Sequence, residues 1–187
     1  MDEFLKKLVE VNSWVTSYFM EPYDSYKRRK GYMDKMLKGL AEAMGMVPDS
    51  RLVPVLQYMA DVVSNQMGLG KTEPERETFF SVMAELLNSL MDLLTRLREE
   101  KDVRGYDALR DRVFDVLDML HFSVKLRALR DTQRLISALY SVADAALKRG
   151  EVPEKVLTAM DEVLFLLSQS EEEGLTEAID VLRGLKV

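Results

Sequence analysis

The chain has 187 residues, 47% of them hydrophobic and 31% charged, which is typical of a globular protein and not of a disordered one. It contains no cysteine, which excludes disulfides, thiolate metal sites and cysteine nucleophiles. The net charge of −6 disfavours a strongly basic nucleic-acid-binding protein, although it is compatible with a local basic face.

Neither an export signal nor a membrane span is predicted. The chain opens with acidic Asp2 and Glu3, and no run of about 18 apolar residues follows anywhere. We therefore expect a cytoplasmic protein. Many Glu, Lys and Arg with few Asn and Gln favour a thermophilic source, whereas the 12 methionines argue against one.

Apolar residues recur at helical spacing through almost the whole chain. The pattern predicts eight helices in chain order. The first five cover residues 2–20, 24–44, about 52 to Gly68, Thr72 to about 100, and 106–127. The last three run from a break or cap at Asp131-Thr132 to Gly150, from Pro153 onward, and after 170–173, and one long helix through Asp131-Thr132 is the alternative. Thr72 and Glu75 have the spacing of a capping box, in which each residue satisfies a free amide of the other, and 170–173 repeats the pattern.

No segment alternates apolar and polar residues over the length of a strand, so we predict no sheet. Short loops between successive helices favour antiparallel pairs. The expected fold is an all-α, single-domain antiparallel bundle of about seven to eight helices over residues 1–187. The alternative division separates methionine-rich basic helices over 1–70 from an acidic helical bundle over 72–187.

Residues 67–72 read Met-Gly-Leu-Gly-Lys-Thr, which resembles the phosphate-binding motif of one family of helicases. Such a motif needs a strand that delivers a glycine-rich turn onto a helix N-terminus. Here an amphipathic helix precedes the turn, and Asn65 replaces the first glycine of the general pattern. We therefore expect neither a bound nucleotide nor another cofactor.

A carboxylate cluster with one histidine lies on the fifth predicted helix: Asp111, Asp115, Asp118 and His121. A di-iron bundle needs two carboxylate–histidine pairs, and this chain has one histidine in total. We expect no metal site and no catalytic residues. An enzyme that binds a metal through carboxylates alone is the third and least favoured functional hypothesis.

Charge is unevenly distributed. Residues 27–38 contain six basic residues and one acid, a net charge of +5, whereas residues 151–187 carry −6. The candidate anion-binding residues are the cations of this segment and two neighbouring tyrosines: Tyr26, Lys27, Arg28, Arg29, Lys30, Tyr32, Lys35 and Lys38. Basic side chains bind phosphates and aromatic rings stack on bases. The alternatives are that these cations only solvate their helix, or that they pair with the acidic C-terminal helices.

Methionine is concentrated in the first half of the chain, which holds ten of the 12. Thioether side chains adapt to irregular surfaces, so Met33, Met36, Met44 and Met59 are candidate protein-interface residues. The leading functional hypothesis is a non-enzymatic interaction or assembly protein with a protein partner or self-association. The alternative is a nucleic-acid-associated helical subunit that uses residues 27–38.

Overall fold

The computed structural model describes residues 1–22, 25–68, 72–123, 129–169 and 172–187. These residues form eight α-helices: α1 (Asp2–Met20), α2 (Tyr26–Met44), α3 (Val53–Gln66), α4 (Glu73–Glu99), α5 (Tyr106–Ser123), α6 (Leu129–Lys148), α7 (Glu154–Ser168) and α8 (Glu172–Gly184). A short 3-10 turn (Ser50–Leu52) precedes α3, and the described residues contain no strand. The prediction of an all-α helical bundle is confirmed.

The start of α4 follows the predicted capping box. The Thr72 hydroxyl accepts a hydrogen bond from the Glu75 amide at 3.3 Å, and the Glu75 carboxylate accepts one from the Thr72 amide at 2.7 Å. Two free amides of the first helical turn are thereby satisfied. The second predicted capping box spans residues 170–173, and its first residue, Ser170, lies outside the described residues. The predicted break at Asp131-Thr132 is wrong, since α6 begins at Leu129 and includes both residues.

Helices α1 and α4 run antiparallel. Three side-chain pairs join them in reversed order along the two helices: Asp2 with Arg98, Asn12 with Asn88, and Tyr18 with Glu73. Helices α4 and α6 run parallel, because their pairs follow the same order on both: Glu85 with Arg130, Ser89 with Gln133, and Arg96 with Asp144. The intervening helix α5 packs mainly against α3 and α7.

The turn before α5 is fastened to the turn before α7. The Val152 amide donates a hydrogen bond to the Arg104 carbonyl at 2.9 Å. Gly105, which follows Arg104, has a φ of 84°, a value that residues with a side chain rarely adopt. A Cβ on Gly105 would also lie 3.0 Å from the Val152 Cβ. This turn therefore requires glycine for two independent reasons.

Buried apolar side chains from all eight helices belong to one hydrophobic cluster. Arg96, which helical periodicity places on the outer face of α4, is 8% exposed. Its Nε donates to the Asp144 carboxylate at 2.8 Å, so the charge is paired where α6 covers it. Among the described residues, no helix has the length and apolar character that crossing a membrane requires.

Candidate nucleic-acid interface

Helices α1 and α2 form an antiparallel pair whose contacts recur every seven residues. The contacts are Lys7 Nζ to the Glu42 carboxylate at 2.7 Å, Lys35 Nζ to the centre of the Trp14 ring at 4.1 Å, and Arg28 Nη1 to the Glu21 carboxylate at 3.2 Å. A seven-residue spacing keeps one seam facing the partner helix along its length. The side chains of Arg28, Lys35 and Glu42 therefore point toward α1.

A glycine allows the two helices to approach closely on the core side of this seam. A Cβ on Gly39 would lie 2.7 Å from Val11 Cγ2, closer than any carbon–carbon contact in a relaxed structure. The seam and this contact together fix the rotation of α2 about its axis. As a result, Met33, Met36 and Leu40 turn into the core.

The outer face of α2 carries most of the basic segment. Its exposed charged residues between positions 27 and 38 are Lys27, Arg28, Lys30, Asp34, Lys35 and Lys38. We call these five cations with Asp34 the α2 basic face, which has a net charge of +4. At a helical rise of about 1.5 Å per residue, it extends over roughly 17 Å.

The cations of the α2 basic face differ in whether they contact other side chains of the protein. Arg28 is paired with Glu21, and Lys35 lies over the Trp14 ring, where the ring face attracts its charge. Within the described part of the chain, no carboxylate lies at ion-pair distance from Lys27, Lys30 or Lys38. Lys38 does act on Glu42, whose pKa is lowered mainly by its hydrogen bond from Lys7 and further by the charge of Lys38. An external ligand would nevertheless meet these three lysines without displacing an ion pair.

Arg29 does not belong to this surface, contrary to the prediction. It is 1% exposed, and its Nη1 lies 2.5 Å from the Glu73 carboxylate. Its Nη2 donates to the Glu21 carbonyl at 2.6 Å and lies 3.6 Å from the Glu77 carboxylate. Consecutive residues point in different directions around a helix, so one of four adjacent cations faces the core and is paired there.

The two predicted tyrosines make contacts within the chain. The Tyr32 ring stacks on Trp14, with 6.1 Å between ring centres. Its hydroxyl donates to the Glu21 carboxylate at 3.1 Å, and this hydrogen bond raises the pKa of Tyr32. The Arg76 guanidinium lies 4.9 Å from the centre of the Tyr26 ring. Since one face of each ring is covered, the surface offers phosphate contacts more readily than base stacking.

The acidic C-terminal helices do not neutralise the α2 basic face. The main neighbours of α2 are α1 and α3. Across the described ranges, the ion pairs of residues 27–38 join Glu21, Glu73 and Glu77, and none joins residues 151–187. The hypothesis that the basic segment pairs with the C-terminal acids is therefore wrong for the described residues.

The methionines chosen as a protein interface lie inside the protein. Met33, Met36 and Met59 are 0% exposed, and Met44 is partly buried against the same hydrophobic cluster. The first three fill the core and are not accessible to a partner in the folded chain. The prediction that they form a protein interface is therefore wrong. Sequence alone does not distinguish these two uses of a flexible thioether side chain.

Two carboxylates of α5, Asp111 and Asp115, accept hydrogen bonds from Arg51. Arg51 Nη1 donates to Asp115 at 2.9 Å and Nη2 to Asp111 at 3.2 Å, while Asp49 accepts three further hydrogen bonds from Arg51. The side chain of His121 lies outside the described residues. In the portion of the chain that the structure describes, no three His, Asp or Glu side chains are grouped to hold a metal ion.

The helicase-like motif lies between α3 and α4. Residues 69–71 are outside the described residues, and Gly68 directly follows the helical residues of α3 and Met67. The preceding element is thus a helix, which is not the strand that the motif needs to present phosphate-binding amides.

A buried polar cluster that the sequence did not predict is centred on Glu73, the first residue of α4. Its carboxylate accepts hydrogen bonds from the Tyr18 hydroxyl at 2.9 Å, Arg29 at 2.5 Å and Arg76 at 2.7 Å. Burial alone would raise the pKa of Glu73, but these three hydrogen bonds outweigh it and lower the pKa below its usual value. A glutamate at a helix start is common for capping reasons alone, so the sequence gives no specific signal for this role.

No protein-family model, curated protein or solved structure matches the chain. Its function is therefore inferred from its own surface and sites.

Proposed function

We propose that the chain is a non-enzymatic nucleic-acid-binding protein that holds a phosphate backbone on the α2 basic face. The proposal rests on the exposed lysines Lys27, Lys30 and Lys38, which lie at ion-pair distance from no carboxylate among the described residues. The inward position of Arg29 and the partly covered tyrosine rings favour contacts to phosphate over contacts to bases.

The size of the face predicts a modest, salt-sensitive affinity. Roughly 17 Å of helix spans about five phosphates of a stacked strand at about 3.4 Å each. Three exposed lysines give about three phosphate contacts, so the logarithm of the binding constant should fall with a slope of about −2.7 against the logarithm of salt concentration on duplex DNA. That slope corresponds to a loss of about forty-fold between 50 and 200 mM salt. The overall charge of −6 opposes binding elsewhere on the protein.

The test is fluorescence anisotropy of labelled single-stranded and double-stranded 20-mers, titrated with the full chain at several salt concentrations. The variant Lys27→Gln/Lys30→Gln/Lys38→Gln should weaken binding at least tenfold and flatten the salt slope. Its matched control is Arg149→Gln/Lys155→Gln/Lys186→Gln, which removes three exposed positive charges at or near the acidic C-terminal part of the chain. The control should bind within twofold of the wild type.

Two results would overturn the proposal. One is the absence of binding even at about 25 mM salt, where phosphate contacts are strongest. The other is an equal loss of binding in the control variant. Binding to vesicles of anionic lipid with no binding to either 20-mer would assign the same lysines to a membrane surface and also contradict the proposal.

Assembly through protein contacts is the second candidate function. Several large apolar side chains remain exposed on the helices, among them Met20 at 80% on α1 and Phe165 at 63% on α7. Sedimentation velocity should then show association that Met20→Lys or Phe165→Lys weakens. A strict monomer at high micromolar concentration would contradict this second function and leave the nucleic-acid proposal unaffected.

A further inference from the structure

A pocket of about 400 Å³ opens between the C-terminal end of α4 and the first turns of α5. Its walls include Leu97, Arg98 and Lys101 from the end of α4, Tyr106, Arg110 and Phe114 from α5, and Asp49 from the segment before the 3-10 turn. We call it the α4–α5 pocket. Its volume lies within the range in which proteins enclose small organic ligands.

The floor of the α4–α5 pocket is apolar and fixed in position. Leu97, Tyr106 and Phe114 are 2%, 5% and 5% exposed. The Tyr106 hydroxyl donates to the Leu97 carbonyl at 2.5 Å, so its hydrogen is used within the protein. The Arg110 guanidinium lies 5.6 Å from the centre of the Tyr106 ring, and the Arg51 guanidinium lies 5.3 Å from the centre of the Phe114 ring, so one face of each ring is covered. The floor thus presents Leu97 and the uncovered parts of the two rings to a ligand, and a flat apolar body is complementary to such a surface.

Three of the four charged side chains that line the pocket are cations. Arg98, Lys101 and Arg110 face a single lining carboxylate, Asp49. Three hydrogen bonds from Arg51 already occupy Asp49, and the side-chain hydrogen bond from Arg51 is the main reason that its pKa is lowered. Arg51 is shared with Asp111 and Asp115, so it offsets the charge of Asp49 only in part.

Two of the three cations that line the pocket are weakly held. Arg98 is paired with Asp2. Arg110 lies 3.8 Å from both Asp107 and Asp111, beyond hydrogen-bonding distance. Among the residues that the structure describes, no carboxylate lies at ion-pair distance from Lys101. Lys101 and Arg110 are the cations that an incoming anion would meet without first displacing a short ion pair.

We infer that the α4–α5 pocket binds a small organic anion with a flat apolar body, such as an aromatic acid. The body would lie on Tyr106, Phe114 and Leu97, and the acid group would contact Lys101 and Arg110. This inference is independent of the α2 basic face, since the two sites share no residue.

The probe for this site is 8-anilinonaphthalene-1-sulfonate, which combines an aromatic body with one negative charge. Its control is N-phenyl-1-naphthylamine, which has the same body without the sulfonate. We expect the folded full chain to bind the sulfonate with one-to-one stoichiometry by isothermal titration calorimetry. Lys101→Gln/Arg110→Gln should weaken it about tenfold or more and leave affinity for the uncharged compound within twofold.

A matched variant shows whether the effect belongs to this pocket. Lys155→Gln/Arg183→Gln also removes one lysine and one arginine, each of which lines another surface pocket. It should leave sulfonate binding within twofold, and thermal melts should show that both double variants remain folded. No binding of the sulfonate up to about 1 mM, an equal loss in the matched variant, or an equal loss for the uncharged compound would each overturn the inference.

Discussion

Replacing Glu73 by Gln removes the negative charge that Arg29, Arg76 and Tyr18 share. Arg29 is 1% exposed, so water does not take the place of the lost carboxylate charge. Glu77, 3.6 Å from Arg29, remains as a weaker partner, and the new amide oxygen still accepts hydrogen bonds. The expected effect is a clear loss of stability with the fold retained.

The magnitude follows from the burial of the two partners. Removing one member of a buried ion pair costs about 3–5 kcal/mol. The Glu73 side chain is 19% exposed and the substitution is isosteric, so we expect about 2–3 kcal/mol. In a protein of this size, that corresponds to a fall in Tm of roughly 5–10 °C. Glu85→Gln is the matched control, because its pair with Arg130 is 48% and 44% exposed and should contribute less than about 1 kcal/mol.

The same variant gives a pH signature. Hydrogen bonds hold the pKa of Glu73 below its unfolded value, so the stabilisation is complete above about pH 4.3 and is lost as the pH falls through the folded pKa. Urea denaturation should therefore show a constant difference between wild type and Glu73→Gln from pH 6 to 8, which shrinks below about pH 4. A cost within 0.5 kcal/mol of the Glu85→Gln control, measured by the same assay, would refute the reasoning.

Two glycine pairs test the packing of the helices by the same urea assay. Gly39→Ala should destabilise the protein by about 1–3 kcal/mol, because its Cβ would meet Val11 Cγ2 at 2.7 Å and a β-branched side chain has little rotamer freedom in a helix. Gly31→Ala on the same helix meets nothing within 4 Å and should stabilise by about 0.5–1 kcal/mol, so two changes of the same sign would contradict the proposed close approach. Gly105→Ala should cost more than Gly150→Ala, since both have positive φ values of 84° and 80° but only Gly105 faces Val152 at 3.0 Å. Gly150→Ala should lower the free energy of unfolding by about 1–2 kcal/mol. Equal losses for Gly105→Ala and Gly150→Ala would mean that Val152 does not crowd the turn.

Helix positions and several helix ends could be predicted because their causes are local. The apolar repeat of the first helix predicted residues 2–20, and α1 spans Asp2–Met20. The Thr72 and Glu75 capping box was predicted from residues three apart in the sequence. The erroneous break at Asp131-Thr132 has a local cause as well: both residues favour caps, yet Thr132 is 0% exposed within α6.

The side-chain roles could not be predicted because their partners are distant in the sequence. Arg29 finds its charge partner 44 residues later, at Glu73. In the sequence, Asp111 and Asp115 resemble a metal-binding or solvated face. In the structure both accept hydrogen bonds from Arg51, which lies about 60 positions earlier in the chain. In each case the deciding interaction depends on how segments distant in the sequence pack together, which a helical repeat does not encode.

The packing of α2 determines which of its cations remain available. Arg29 is buried in the core and paired with Glu73. At the seam with α1, Arg28 is paired with Glu21, and Lys35 lies over the Trp14 ring. Lys27, Lys30 and Lys38 lie away from both contacts, so their exposure follows from the same rotation that buries Met33 and Met36 in the core. Asp34 is also exposed, one helical turn from Lys30 and from Lys38, and it lowers the local positive potential. Glu42, one helical turn after Lys38, has the same effect. Three exposed lysines moderated by these two acids suit weak, reversible contact with a phosphate backbone better than tight, base-specific recognition.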